Sequence, residues 1–138
     1  MVSYLVDTNV LAELRKGPRG NPRVRAWVAG LDQDAIFLSV LTIGEIRCGV
    51  ENIRRRDPAA AHALERWLRR VVDQHGDRIL PVTISIAEEW GRLNVPKPIP
   101  VTDGLLAATA RLHDLTLATR NVRGVARTGV ALFDPFTA

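Results

Sequence analysis

The chain predicts an α/β fold built on a parallel sheet. Three observations carry that expectation. Short apolar runs of strand length, such as Tyr4-Leu5-Val6 and Ile36-Phe37-Leu38, alternate with longer segments whose apolar residues recur every three to four positions. Strands that alternate with helices in this way build parallel sheets. The composition, 46% hydrophobic and 25% charged, is that of a globular chain, and 138 residues suffice for one real core. Residues 1–138 are therefore read as a single domain.

The elements follow in order. Tyr4-Leu5-Val6 is a buried first strand, after which Asp7-Thr8-Asn9 opens a helix carrying Val10, Leu11 and Leu14. Gly17-Pro18-Arg19-Gly20 is a loop. Asn21 caps a helix with Pro22 at its first position, and Val24, Trp27, Val28 and Leu31 form its inner stripe. Residues 35–40 make the second strand, and Ile43, Ile46, Val50 and Ile53 mark one face of the next helix. Within that helix Thr42-Ile43-Gly44-Glu45 has capping-box spacing, and Cys48 is expected in the core.

Asp57-Pro58 starts another helix, with Ala61, Leu64, Leu68, Val71 and Val72 inward. Ile79-Leu80-Pro81-Val82 is a short strand whose proline marks a sheet edge or a strand end. Ser85 and Glu88 fit a second capping box ahead of Trp90 and Leu93. Pro96, Pro98 and Pro100 stiffen a loop leading to Thr102-Asp103-Gly104 and a helix carrying Leu105, Leu106, Ala108 and Leu112. Residues 116–119 form a strand, followed by Arg120-Asn121, and Ala131-Leu132-Phe133 a last short one.

Net charge is +4, and Lys16 and Lys97 are the only lysines, so the positive charge is almost all arginine. Such a balance favours a polyanionic partner, although a modest positive charge also simply aids solubility. A single cysteine excludes an internal disulfide and a cysteine-based zinc site. Asp7 interrupts the first apolar run and no basic segment precedes it, so no signal peptide is expected. No stretch approaches membrane-spanning length, and a cytoplasmic protein with no membrane partner is expected. His62 and His75 fall on opposite faces of one helix, which disfavours a histidine acid–base pair. A phosphatase with an aspartyl nucleophile wants a second acid where Asn9 stands, and a phosphoacceptor receiver, suggested by Lys97-Pro98, lacks paired acids.

Three isolated carboxylates remain. Asp7 follows a strand, and ligands of open α/β sheets bind outside the carboxyl ends of strands; the competing role is a helix cap. Glu45 lies at the same end if the strands are parallel, against a capping role in its own helix. Asp103 follows the stiff proline loop, where the helix dipole alone also favours an acid. Three carboxylates at one sheet edge repel each other unless something neutralises them, and a hard divalent cation such as Mg²⁺ does so. With an arginine-rich surface and no nucleophile–base pair, this arrangement points to metal-assisted phosphodiester hydrolysis.

Val6-Asp7-Thr8-Asn9-Val10, then Ser39-Val40-Leu41-Thr42-Ile43-Gly44-Glu45-Ile46-Arg47-Cys48-Gly49, then Ile99-Pro100-Val101-Thr102-Asp103, and finally Leu117-Ala118-Thr119-Arg120-Asn121-Val122-Arg123 resemble PIN-domain proteins. In particular they are similar to the VapC-type toxins of type II toxin–antitoxin pairs, in order and over nearly the whole chain. The resemblance implies a three-layer PIN-like fold and endoribonuclease activity with Mg²⁺ or Mn²⁺. It makes Asp7, Glu45 and Asp103 the catalytic, metal-binding acids, with Thr8 supporting them through its hydroxyl. Asn121 would add a neutral oxygen to the metal, and Arg120 and Arg123, flanking the site, would hold RNA. The basic clusters Arg54-Arg55-Arg56 and Arg66, Arg69 and Arg70 are solvated faces or further RNA contacts. The resemblance also implies a cognate antitoxin, received by a groove in the early helices, and a homodimer.

One departure stands out. The family usually supplies a fourth acid in or just after the segment that here reads Asn121-Val122-Arg123-Gly124, which contains none. That puts a second metal in question and keeps an alternative open, a non-catalytic PIN-like RNA-binding or regulatory module.

Overall fold

Five parallel strands form the centre of the computed structural model, which describes residues 2–137. They are β1 (Tyr4–Val6), β2 (Ile36–Ser39), β3 (Ile79–Leu80), β4 (Thr116–Ala118) and β5 (Leu132–Phe133), in the order β3-β2-β1-β4-β5. Every neighbouring pair is parallel, with Leu5 opposite Phe37 on one side and Leu117 on the other. Pro81 follows an edge strand, where its missing N–H interrupts no ladder.

Alternation along the strands creates two cores, one on each face of the sheet. Val6, Ile36 and Leu38 pack with α1 (Thr8–Arg15), α2 (Pro22–Ala29), α3 (Val40–Arg54) and α4 (Pro58–His75), through Val10, Leu11, Val24, Ile46, Leu68 and Val71. Trp27, Val28 and Leu31 join this core half-buried. Leu5, Leu80 and Leu117 face the other way, onto α6 (Val101–Leu112) and α7 (Val122–Val125) through Leu106, Ala107, Ala110 and Val125. Helix α5 (Ile84–Leu93) lies against α6. The result is the expected three-layer α/β architecture.

Two helix starts are expected at Asn21 and Asp57, and both hold. Asn21 Oδ1 accepts from the Arg23 and Val24 amides, and Asp57 Oδ1 from the Ala60 amide. The two capping boxes do not form. Strand β2 ends at Ser39, whose Oγ accepts the Leu41 amide at 3.0 Å, so α3 begins at Val40 and Thr42 is already inside it, fully buried. Likewise Thr83 Oγ1 takes the Ile86 amide, and Ser85 falls within the first turn of α5. In each case a hydroxyl nearer the helix start satisfies the orphan amides first.

Cys48 is exposed rather than core. It sits two positions from both Ile46 and Val50, about 200° round the helix from the buried stripe. Val72 and Leu112 are also exposed, Val72 because its neighbour Val71 takes the inward position. Helix α7 arises just past Asn121, where no further helix was expected. Parallel pairing brings the carboxyl ends of the adjacent strands β2, β1 and β4 together at one edge of the sheet.

Candidate active site

Asp7 leaves the end of β1, its own amide still bonded to the Ala118 carbonyl of β4. The carboxylate is nearly buried and held at both oxygens. Oδ1 accepts the Thr8 amide at 2.7 Å, and Oδ2 accepts Thr119 Oγ1 at 2.8 Å and, more loosely, Asn9 Nδ2 at 3.4 Å. Asp7 is thus a helix cap and a cleft residue at once, because a cap needs only one of its two oxygens.

Glu45 projects from the second turn of α3, and its Oε1 accepts Thr8 Oγ1 at 2.7 Å. Thr8 Oγ1 also stands 3.3 Å from the hydroxyl of Thr42. The threonine that reads as a capping residue is instead part of the packing beneath Glu45.

Asp103 lies in the first turn of α6. Its position is set from behind. Asn94 Oδ1 accepts the Ile99 amide at 2.8 Å, pinning the proline loop, and Ile99 is buried. Gly104 lets α6 close onto α5, since a Cβ there would stand 2.8 Å from Trp90 Cδ1. Asp103 Oδ2 accepts Asn121 Nδ2 at 2.9 Å. Burial, and then the charge of Asp7, raise its carboxyl pKa above the ordinary aspartate value, and the bond from Asn121 opposes this in part.

These residues share one cleft. Asp7, Thr8, Asn9, Ala12, Glu45, Thr102, Asp103 and Asn121 line an open hollow of about 380 Å³ at the carboxyl edge of the sheet. So all three acids, Thr8 and Asn121, picked from distant parts of the sequence, come together. The PIN domain family matches residues 4–130. The chain belongs to the PIN-domain family.

Two curated relatives match it nearly end to end. The toxin FitB of Neisseria gonorrhoeae is 33% identical over 138 residues, covering 96% of this chain and 97% of that protein. The VapC ribonuclease Y4jK of Sinorhizobium fredii is 27% identical over 139 residues, with 96% of each covered. The crystal structure of FitAcB from Neisseria gonorrhoeae matches with a TM-score of 0.89 at 32% identity, over 98% of this chain and 99% of that one.

In this PIN domain the arginines are placed less directly than the acids. Neither Arg120 nor Arg123 lines the cleft. The Arg120 amide bonds Asn9 Oδ1 at the cleft margin, while its guanidinium lies over the Phe136 ring, 4.5 Å from the centroid. Arg47 and Arg54 are tied to Glu51 and Glu65 in a surface network joining α3 to α4. His75 is buried with Nδ1 2.7 Å from the Val71 carbonyl, whereas His62 is exposed.

Two polar partners of the cleft went unrecognised in the sequence. Asn9 bridges Asp7 to the Arg120 amide, and Thr119, 1% exposed, holds Asp7. For Thr119 the sequence shows only a hydroxyl at the end of a strand-like run, and its pairing with Asp7 follows from β4 lying beside β1.

Asp7, Glu45 and Asp103 are the candidate metal ligands of this cleft. Its side chains offer oxygen, two of its carboxylates repel each other, and no cation among the described residues pairs with them. Among the described residues no three acidic, histidine or cysteine side chains converge into a tight ligand group.

Proposed function

We propose that this PIN-domain chain is the toxin of a type II toxin–antitoxin pair, a metal-dependent endoribonuclease that hydrolyses RNA phosphodiesters. The observation that carries the reading is the cleft itself, whose lining includes Asp7, Glu45 and Asp103 from three separate elements. Relatives named as a toxin and as a ribonuclease support it.

Asp7, Glu45 and Asp103 would hold Mg²⁺ or Mn²⁺, with Asn121 as a neutral neighbour. When bound, such an ion neutralises phosphodiester charge and makes water a better nucleophile. The chain supplies orientation. Thr8 fixes Glu45, and the Thr8 amide and Thr119 fix Asp7. Arg120 and Arg123, outside the cleft, would grip the RNA backbone, a contact weakened by salt. Specificity would come from unstacked bases in single-stranded segments.

A groove of about 180 Å³ between α1, α3 and α4 is lined by Thr8, Ala12, Ile46, Gly49, Leu64 and Trp67, and by Arg15. It suits an apolar segment of an antitoxin carrying an acidic residue for Arg15. The relative named as the toxin FitB, 33% identical, supports such a partner. The exposed Val82 and Ile84 offer apolar surface to a second copy of the chain. Among the described residues no helix is long and apolar enough to cross a membrane, and an RNA substrate would place the activity in the cytoplasm.

The neutral Asn121 and the bare Gly124 favour one other reading, RNA binding without cutting. RNA cleavage by the antitoxin-free chain separates the two. Cutting that stops with chelator and in Asp103→Asn supports the nuclease, and metal-supplied protein that binds RNA without cutting it supports the module.

A further inference from the structure

Three hydrogen bonds link Asp7 to Asp103 through the segment after β4. Thr119 Oγ1 donates to Asp7 Oδ2 at 2.8 Å and accepts the Asn121 amide at 3.0 Å, and Asn121 Nδ2 donates to Asp103 Oδ2 at 2.9 Å. Thr119 is 1% exposed, so its hydroxyl has no water to turn to if these partners are lost. Its backbone is fixed as well, the amide bonding the Phe133 carbonyl at 3.0 Å. The Asn121 amide has one sensible orientation, since reversing it would set an oxygen against a carboxylate oxygen.

Gly124 completes the arrangement. A Cβ at that position would stand 2.6 Å from Asn121 Nδ2 and 3.0 Å from Oδ1. Any side chain there collides with the amide that reaches Asp103. Gly124 therefore leaves free the space that the Asn121 side chain occupies.

We propose that Thr119 and Asn121, with Gly124 leaving room for them, form an uncharged strut that sets the separation of Asp7 and Asp103. Both are positioning residues of the cleft. The strut gives each carboxylate a donor, easing their mutual repulsion without placing a positive charge where a divalent ion would have to compete. A lysine or arginine would hold the two acids equally well and would repel the ion. Its importance for catalysis rests on the nuclease reading, while its existence does not.

The test uses the full chain and Thr119→Val, Thr119→Ser and Gly124→Ala, first metal-free by NMR and then titrated with Mn²⁺ alone by EPR. Thr119→Val removes the hydroxyl at nearly constant shape, and Thr119→Ser keeps it. The strut predicts that Thr119→Val and Gly124→Ala each shift the Asn121 amide signals and weaken Mn²⁺ binding roughly 10- to 100-fold, as loss of groups that orient metal ligands does. Thr119→Ser restores both. Gly124→Ala sits on a half-exposed helix and keeps the melting temperature near wild type, so it decides the matter if Thr119→Val fails to fold.

Unchanged Asn121 signals in folded variants overturn the strut, as does wild-type Mn²⁺ affinity in Gly124→Ala. A Thr119→Ser variant as weak as Thr119→Val overturns the hydroxyl's part. If the wild type itself binds no Mn²⁺, the metal reading fails, and the Asn121 signals alone then judge the strut.

Discussion

Thr8 Oγ1 donates to Glu45 Oε1 at 2.7 Å, joining the first turn of α1 to the second turn of α3 across 37 positions of sequence. A hydroxyl has one proton, and the short bond gives it to the carboxylate. Glu45 is a long, exposed side chain that would otherwise sample several rotamers. Thr8 holds it toward the cleft in which Asp7 and Asp103 already sit.

Removing that hydroxyl should therefore weaken catalysis without unfolding the chain. Thr8→Val is expected to lower RNA cleavage roughly 10- to 100-fold, the usual cost of losing a group that orients a ligand, and Thr8→Ser to keep most of it. Single-turnover cleavage with circular dichroism on the same samples checks this.

The raised carboxyl pKa of Asp103 makes a stability prediction with a definite sign. The folded chain holds this proton more tightly than the unfolded chain, so stability is favoured below the unfolded value of about 3.9 and declines as pH rises through the folded value. Asp103→Asn keeps an oxygen for Asn121 but removes the charge. In EDTA at neutral pH it is expected to melt above wild type, with the difference vanishing below about pH 3.9. Thermal melts across that range measure it.

Divalent metal should reverse the order. A ligand bound only by the folded state stabilises it by about 2.7 kcal/mol at 100 times its dissociation constant. Mg²⁺ is expected to raise the melting temperature of wild type and to leave Asp7→Asn unmoved. Equal shifts in both would place any bound ion elsewhere.

Two glycines of the α5–α6 pair should behave oppositely. Gly104→Ala forces a Cβ to within 2.8 Å of the Trp90 ring and is expected to cost about 1–3 kcal/mol by overpacking. Gly91→Ala enters open space within α5 and is expected to stabilise by up to about 1 kcal/mol through helix propensity. Urea melts followed by tryptophan fluorescence distinguish them.

Much of this was legible in the chain because it depends on local pattern. Alternating strand-like and helix-like runs imply a parallel sheet, and Asp7 and Asp103 stand where a strand end and a stiff proline loop must place them. Glu45 was legible as a candidate, yet its spacing from Thr42 suggested a cap, because the end of β2 at Ser39 is not visible in an apolar run that continues through Val40 and Leu41. Thr119, Asn9 and the fit of Gly104 under Trp90 depend on which elements become neighbours. Thr119 meets Asp7 across 112 positions, and nothing local encodes that contact. Cys48 was misplaced although the stripe of Ile46 and Val50 already puts it about 200° away, on the outer face of α3.

The most direct measurement is cleavage of a total-RNA pool by antitoxin-free protein, wild type and Asp7→Asn, with Mg²⁺ or Mn²⁺ and with EDTA. The cleft predicts discrete cuts by the wild type that require both the metal and Asp7. Cutting that persists in EDTA or in folded Asp7→Asn, or RNA bound but uncut by both proteins with metal present, would contradict it.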